Sequence, residues 1–146
     1  MNGKADDAVA MLQTLYEERP YDTKLEYSLA SALQAAGKTE QAAEMFQRVV
    51  AAESQLRRKQ QLMEELDREP DPVDQMKTRF EIATISMNHE SPTEGLRWLM
   101  SVIDMDPGYK PACAALADYY RKIGNTQLEQ EYRTLAERAG DDSGSP

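Results

Sequence analysis

Apolar residues recur every three or four positions along most of the chain, and this spacing predicts amphipathic α-helices. The clearest example is the stretch 28–50, whose two apolar stripes are formed by Leu29, Ala30 and Leu33 and by Ala42, Phe46 and Val49. Gly37 lies between the stripes and indicates a turn, and Thr39 is expected to cap the second helix. The stretch therefore predicts two short helices that face each other.

Seven helices follow from the same spacing, and we expect them at about 4–18, 23–36, 39–68, 72–88, 92–105, 111–123 and 126–139. The start signals are two capping boxes and one cap followed by proline, namely Thr23 with Glu26, Ser91 with Glu94, and Asp71 with Pro72. Gly140 is expected to end the last helix. Residues 141–146 lack an apolar anchor and are expected to form a disordered tail.

A fixed period relates these helices. A separation of 34 residues relates Gly3 to Gly37, Ala8 to Ala42 and Ile82 to Leu116. Pro20 and Pro107 are separated by two such periods plus 19 residues. One insertion of 19 residues therefore explains the offset between the two halves of the chain.

A 34-residue helix-turn-helix with small contact residues and a closing proline resembles the tetratricopeptide repeat family. The resemblance covers nearly the whole chain. The second repeat matches it at Leu29, Ala30, Leu33, Gly37, Ala42, Phe46 and Val49, the third at Ile82, Ala83, Ser86, Gly95, Leu99, Val102 and Pro107, and the fourth at Leu116, Ala117, Tyr120, Gly124 and Ala136. It implies an all-α fold, an α-solenoid of helix-turn-helix repeats with about seven helices.

The repeats define a domain organisation. We expect a single domain over 1–140, made of a half repeat 1–22, a repeat 23–56, an insertion 57–75, a repeat 76–109 and a repeat 110–140. Because the first repeat lacks its first helix, one interpretation is a segment of a longer bacterial-type protein of this family. The other is a chain that begins with a lone helix whose free face needs cover.

Three kinds of departure from the family pattern stand out. The first aromatic position of the repeat is held by Glu26, Arg79 and Cys113. The turn glycine is replaced by Glu90 in the third repeat, and the small residue is replaced by Glu129 in the fourth. The spacing of the repeats is unaffected.

The insertion is expected to lengthen the third helix, because no turn signal precedes residue 69. Two apolar series in this helix repeat every seven residues, Val49, Leu56 and Met63, and Ala52, Lys59 and Leu66. Such a seam is typical of a coiled coil with one charged position, which would allow self-association. The alternative, which we favour, is that the extension packs on the next helix of its own chain.

The resemblance also implies a binding surface, since in this family the first helix of each pair lines a concave groove that contacts peptides or partner helices. The corresponding positions here are Lys24, Tyr27, Ser31 and Gln34, then Lys77, Phe80, Thr84 and Met87, then Ala114, Asp118 and Arg121. Tyr27 and Phe80 occupy the same repeat position, so they would either anchor a partner or pack on the adjacent helix. Ser28, Ser31, Glu81 and Thr84 stand where a clamp for C-terminal carboxylates would need cations and amides, which disfavours a chaperone-tail adaptor.

Composition narrows the function further. The net charge of −9 disfavours a general nucleic-acid role, and no apolar run is long enough to cross a membrane. His89 is interpreted as a turn residue, Cys113 and Trp98 as core residues, and most methionines as interior side chains. We expect no catalytic residues, no metal and no cofactor. The compartment stays open, with the cytoplasm as the default expectation.

These observations predict a non-enzymatic module that binds a peptide or helix of a partner protein in the concave groove. One alternative is a homo-oligomer formed through the lone first helix or the long helix 39–68. Another is a regulatory segment of a larger multidomain protein.

Overall fold

The computed structural model describes residues 3–142, with side chains described through residue 139. The described residues form seven α-helices and no strand: α1 (Gly3–Glu18), α2 (Thr23–Ala35), α3 (Thr39–Leu66), α4 (Pro72–His89), α5 (Pro92–Met105), α6 (Lys110–Lys122) and α7 (Thr126–Asp142). The all-α prediction is confirmed. Each predicted helix is present, and the predicted ends lie within three residues of the observed ones.

The capping predictions are partly wrong. Asp22, and not Thr23, caps α2, because its side chain accepts a hydrogen bond of 3.2 Å from the backbone N–H of Leu25. The hydroxyl of Thr39 donates to the carbonyl of Gly37 at 3.4 Å, so Thr39 is the first residue of α3 and not its cap.

The two other predicted caps are confirmed. Asp71 accepts from the N–H of Val73 at 2.8 Å, and Ser91 accepts from the N–H of Glu94 at 3.2 Å. In both helices proline takes the first position, where a backbone N–H would have no partner.

The predicted end of the last helix is also wrong, since α7 continues through Gly140 to Asp142. The prediction of a disordered tail at 141–146 therefore fails at its first two residues. Its remaining residues, 143–146, lie outside the described part of the chain.

Glycine makes two of the helix-to-helix turns possible. Gly37 follows α2 with φ 78° and Gly124 follows α6 with φ 79°, a left-handed conformation that only glycine adopts at low cost. The N–H of Lys38 then bonds the carbonyl of Leu33 at 2.9 Å, and the N–H of Asn125 bonds that of Tyr120 at 2.8 Å. The same closing pattern thus ends both helices, as the repeat predicts.

The chain divides into two compact units, Met1–Arg58 and Lys59–Pro146. The boundary falls close to the start of the predicted insertion at residue 57. The core of the first unit is a cluster from α1, α2 and α3 that consists of Val9, Leu29, Leu33 and Ala42, with Leu12, Tyr16, Met45 and Phe46 packed around it. The two apolar stripes predicted in the stretch 28–50 therefore contribute to the core of this unit.

The core of the second unit joins α4, α5 and α6. Its buried members are Ala83, Leu99, Val102, Ala112 and Leu116. Trp98, Phe80, Tyr109 and Tyr132 pack against them as partly buried side chains. The prediction that most methionines lie inside is wrong, since Met11, Met63, Met100 and Met105, four of the seven that follow Met1, are exposed.

The seam prediction is wrong at one position of the extension of α3. Leu62 is buried, with 2% of its surface exposed, whereas Met63 is 42% exposed. The other positions of the two series agree with the prediction, since Val49 and Ala52 are buried and Leu56, Lys59 and Leu66 are partly buried.

An ion pair joins the extension to the end of α4. The Nζ of Lys59 bonds the carboxylate of Glu90, and the Lys59 side chain is only 11% exposed. Glu90 occupies the turn position where the family has glycine, and Lys59 lies in the inserted segment. The ion pair therefore joins two residues that depart from the repeat pattern. The contact supports internal packing of the extension, and self-association through α3 stays a prediction.

Candidate protein-interaction surface

The predicted binding residues of the first unit lie on one exposed side of α2. Lys24, Tyr27, Ser31 and Gln34 are all exposed, and their spacing of three and four residues places them on one helical stripe. The opposite side carries Leu29, Ala30 and Leu33, which are buried. The cap at Asp22 and the turn at Gly37 fix where this stripe begins and ends. We call these four residues the α2 face.

Tyr27 combines the two roles that the sequence left open. Its ring makes an edge-to-face contact with Phe46 of α3, with centroids 5.6 Å apart and planes at 68°. Yet 57% of the residue remains exposed. The contact holds the ring in place, and a ring that is already held loses little entropy when a partner covers it.

The hydroxyls beside Tyr27 donate to the backbone of their own helix. Ser31 Oγ donates to the carbonyl of Tyr27 at 3.0 Å, and Ser28 Oγ donates to that of Lys24 at 2.9 Å. These side chains therefore lie close to the helix and leave the ring of Tyr27 prominent. Their oxygens retain acceptor capacity toward a partner.

In the second unit the predicted residues of α4 differ in exposure. Lys77 and Thr84 are exposed, with Lys77 Nζ 3.9 Å from Asp74 and Thr84 Oγ1 donating to the carbonyl of Phe80 at 3.1 Å. Phe80 and Met87 are partly buried and pack against the core. The ring of Phe80 meets Tyr109 edge-to-face at 6.1 Å. Phe80 thus stabilises its unit, although it shares a repeat position with Tyr27.

The predicted residues of α6 form a charged network. Asp118 and Arg121 are exposed and lie 3.8 Å apart, and Arg133 of α7 lies 3.7 Å from the same carboxylate. Arg133 also pairs with Glu129 at 3.4 Å. Ala114 is exposed one turn before Asp118. Each exposed pair of this kind contributes only about 0–1 kcal/mol, so the network mainly occupies its own charges.

A polar cluster inside the first unit was not predicted. Glu26 is buried, with 7% of the residue exposed, and its carboxylate accepts a hydrogen bond of 3.1 Å from the hydroxyl of Tyr16 on α1. Glu26 stands where the family has an aromatic residue. The hydroxyl of Tyr16 satisfies the buried carboxylate at this position.

The other two residues at this repeat position are accommodated differently. Cys113 is fully buried and its Sγ donates to the carbonyl of Pro107 at 3.3 Å. Arg79 is partly buried, and its Nε has no hydrogen-bond partner among the residues that the structure describes. The repeat therefore tolerates an acid, a base and a thiol at one position because each meets a different neighbourhood.

Burial raises the pKa of three groups in these cores. The pKa of Tyr16 rises through burial and then through the Glu26 carboxylate, while Arg48 opposes the shift. Burial followed by Asp106 raises the pKa of Cys113, and burial followed by Tyr120 raises the pKa of Tyr132. A thiol held protonated is a poor nucleophile, which agrees with the interpretation of Cys113 as a core residue.

These shifts predict a loss of stability at alkaline pH. The unfolded chain releases these protons near the ordinary values of about 8.5 for Cys and 10 for Tyr, while the folded chain retains them to higher pH. The unfolded state then binds fewer protons, so the free energy of unfolding should fall as the pH rises above about 9. Circular dichroism melts between pH 8 and pH 11 measure this fall. Tyr16→Phe should make it shallower, and Tyr21→Phe, an exposed control, should not; identical profiles for all three proteins would contradict the prediction.

Clusters of metal-binding side chains and membrane-spanning helices are both absent from the part of the chain that the structure describes. No group of three His, Cys, Asp or Glu side chains there could hold a metal ion. His89 is the last residue of α4 and partly buried, one residue from the turn in which it was expected. None of the described helices is long and apolar enough to cross a membrane.

The described residues form an all-helical protein built from helix-turn-helix repeats. A family model for the tetratricopeptide repeat matches residues 1–66, which confirms the resemblance seen in the sequence. Tetratricopeptide repeats generally mediate protein–protein interactions and are typically not enzymes. No curated protein matches the chain.

Proposed function

We propose that this chain is a non-enzymatic interaction module that binds a peptide or helix of a partner protein through the α2 face. The observation that carries the proposal is Tyr27, an aromatic side chain that is 57% exposed and held at one edge by Phe46. Rigid aromatic side chains are enriched among the residues that dominate binding energy. The residues on α4 and α6 are a second part of the proposal. There, Lys77, Thr84, Asp118 and Arg121 are exposed and available for contact.

A selection from random displayed peptides tests the proposal. The full chain is immobilised, and peptides of about 16 residues are selected and then resynthesised, a length that allows either an extended or a helical ligand. Tyr27→Ala should weaken the selected peptides by about tenfold or more, since truncating an aromatic anchor costs at least about 1–2 kcal/mol. Met11→Ala is the matched control, because Met11 is 62% exposed on α1, away from the α2 face.

The outcomes separate clearly. Full retention of binding by a folded Tyr27→Ala protein would overturn the placement on α2, and failure to select any peptide would overturn the proposed function. Phe80→Ala is informative only beside a melting curve, because that ring packs on the core of its unit.

A further inference from the structure

We infer that the partner segment recognised by the α2 face is acidic, with aspartate or glutamate side chains flanking an apolar residue. This inference rests on the proposed function and names the chemistry of its ligand. It concerns side-chain carboxylates within a segment and not a chain terminus. The argument comes from where the charges of α2 lie and which of them are paired.

The exposed charge of α2 is entirely positive. The helix carries one carboxylate, Glu26, and this group is buried and hydrogen-bonded to Tyr16. Lys24 is exposed in the first turn, and Lys38 is exposed in the turn that follows the helix. Neither lysine forms an ion pair among the described residues. A chain with a net charge of −9 therefore carries two exposed lysines without a partner carboxylate in its described part, one near each end of α2.

The carboxylates nearest in sequence form no ion pair with these two lysines among the described residues. Asp22 accepts the N–H of Leu25 as the cap of α2. Glu40 lies in the first turn of α3, where the positive end of the helix dipole attracts it, and it forms no ion pair with Lys38. Each of these two acids therefore interacts with the N-terminus of a helix.

The predicted binding residues of the second unit show the opposite arrangement. Lys77 lies 3.9 Å from Asp74, and Arg121 shares Asp118 with Arg133. Their positive charges are already matched by carboxylates of the same unit. An acidic ligand therefore gains most from the α2 face, where bringing a carboxylate near a lysine breaks no existing pair.

The length of the face sets the size of the ligand. From Lys24 to Gln34 the helix rises about 15 Å, which an extended segment of about five residues spans. Tyr27 lies one turn after Lys24 and offers its exposed ring to one apolar side chain. An acidic residue beside that side chain would lie toward Lys24, and an acidic residue at the far end of the segment would lie toward Lys38.

The amino-acid composition of the peptides selected on the full chain tests this inference. They are displayed between fixed flanking residues and resynthesised with an amidated C-terminus, so that a terminal carboxylate is absent. We expect enrichment of Asp and Glu around an apolar residue. Lys24→Glu combined with Lys38→Glu should weaken binding about tenfold, as two exposed attractions become repulsions. Raising the salt concentration should weaken it as well.

A matched control carries the same change in net charge. Lys4→Glu combined with Arg19→Glu alters two exposed cations outside the α2 face and should leave affinity within about twofold. Equal weakening by the control pair, or selected peptides without acidic residues that still depend on Tyr27, would overturn the inference and leave the proposed function standing. Acidic peptides indifferent to Tyr27 but sensitive to the lysines would support the charge argument and refute the aromatic anchor.

Discussion

Leu116→Ala should lower the free energy of unfolding by about 2–5 kcal/mol, the range measured for large-to-small changes in protein cores. Leu116 is fully buried and belongs to the cluster that joins α4, α5 and α6. Alanine removes three carbon atoms from the middle of this cluster. Close-packed neighbours on three helices can collapse only partly into the space, so a cavity term adds to the lost burial.

Tryptophan fluorescence makes this measurement specific to the second unit. Trp98 is the sole tryptophan of the chain and packs against the same cluster. Urea unfolding followed at Trp98 should show a lower midpoint for Leu116→Ala. Ile123→Ala is the control, since Ile123 is 57% exposed at the end of α6 and should change stability by about 0.5 kcal/mol or less. A loss below about 1 kcal/mol for Leu116→Ala would contradict the assigned core.

Local signals explain why the helices could be predicted from the sequence. Apolar spacing, a cap or a proline at the start, and a glycine at the end are all contained within one segment. Gly37 and Gly124 both have a positive φ, which glycine adopts at low cost. A glycine at the end of an apolar stripe therefore predicts the turn from the sequence alone. The α2 face could be predicted for the same reason, because the exposed side of a helix follows from where its apolar stripe lies.

The polar contacts between residues distant in the sequence could not be predicted. The buried carboxylate of Glu26 accepts from Tyr16, ten residues earlier on another helix, and Lys59 meets Glu90 across 31 residues. The repeat position alone also does not predict that Tyr27 is exposed and Phe80 partly buried. The ring of Phe80 meets Tyr109 and packs on a core cluster, whereas Tyr27 touches Phe46 along one edge and stays mostly exposed. Partners of this kind are set by packing, which leaves no local pattern.

Gly95→Ala is the second large effect that we expect, a loss of about 1–3 kcal/mol in the free energy of unfolding. Gly95 is buried in α5 where this helix crosses α4. A Cβ atom placed there would lie 2.7 Å from Cβ of Met87 and 2.8 Å from its Cα. Carbon atoms pack at about 3.5–4.0 Å, so the two helix backbones would have to separate by about 1 Å.

Helix propensity opposes this effect and has to be weighed against it. Alanine is favoured over glycine inside a helix by about 1 kcal/mol, so an uncrowded site would gain stability from the change. At Gly95 the clash involves a backbone atom of Met87 and cannot be relieved by rotating a side chain. We therefore expect the clash to outweigh the propensity. Gly108→Ala is the control, because its nearest atoms would be 3.5 Å and 3.8 Å away and its φ is not positive.

A second variant shows whether the crowding lies in the backbone or in the flexible end of Met87. The Cε of Met87 would also lie 2.8 Å from the new Cβ, and Met87→Ala removes that atom while leaving Cα and Cβ in place. If Gly95→Ala remains destabilising in the Met87→Ala background, helix separation is the cause. If it becomes neutral there, the thioether end was the obstacle and the close approach of α4 and α5 does not require glycine. The backbone distances favour the first result, because two of the three closest atoms survive the truncation.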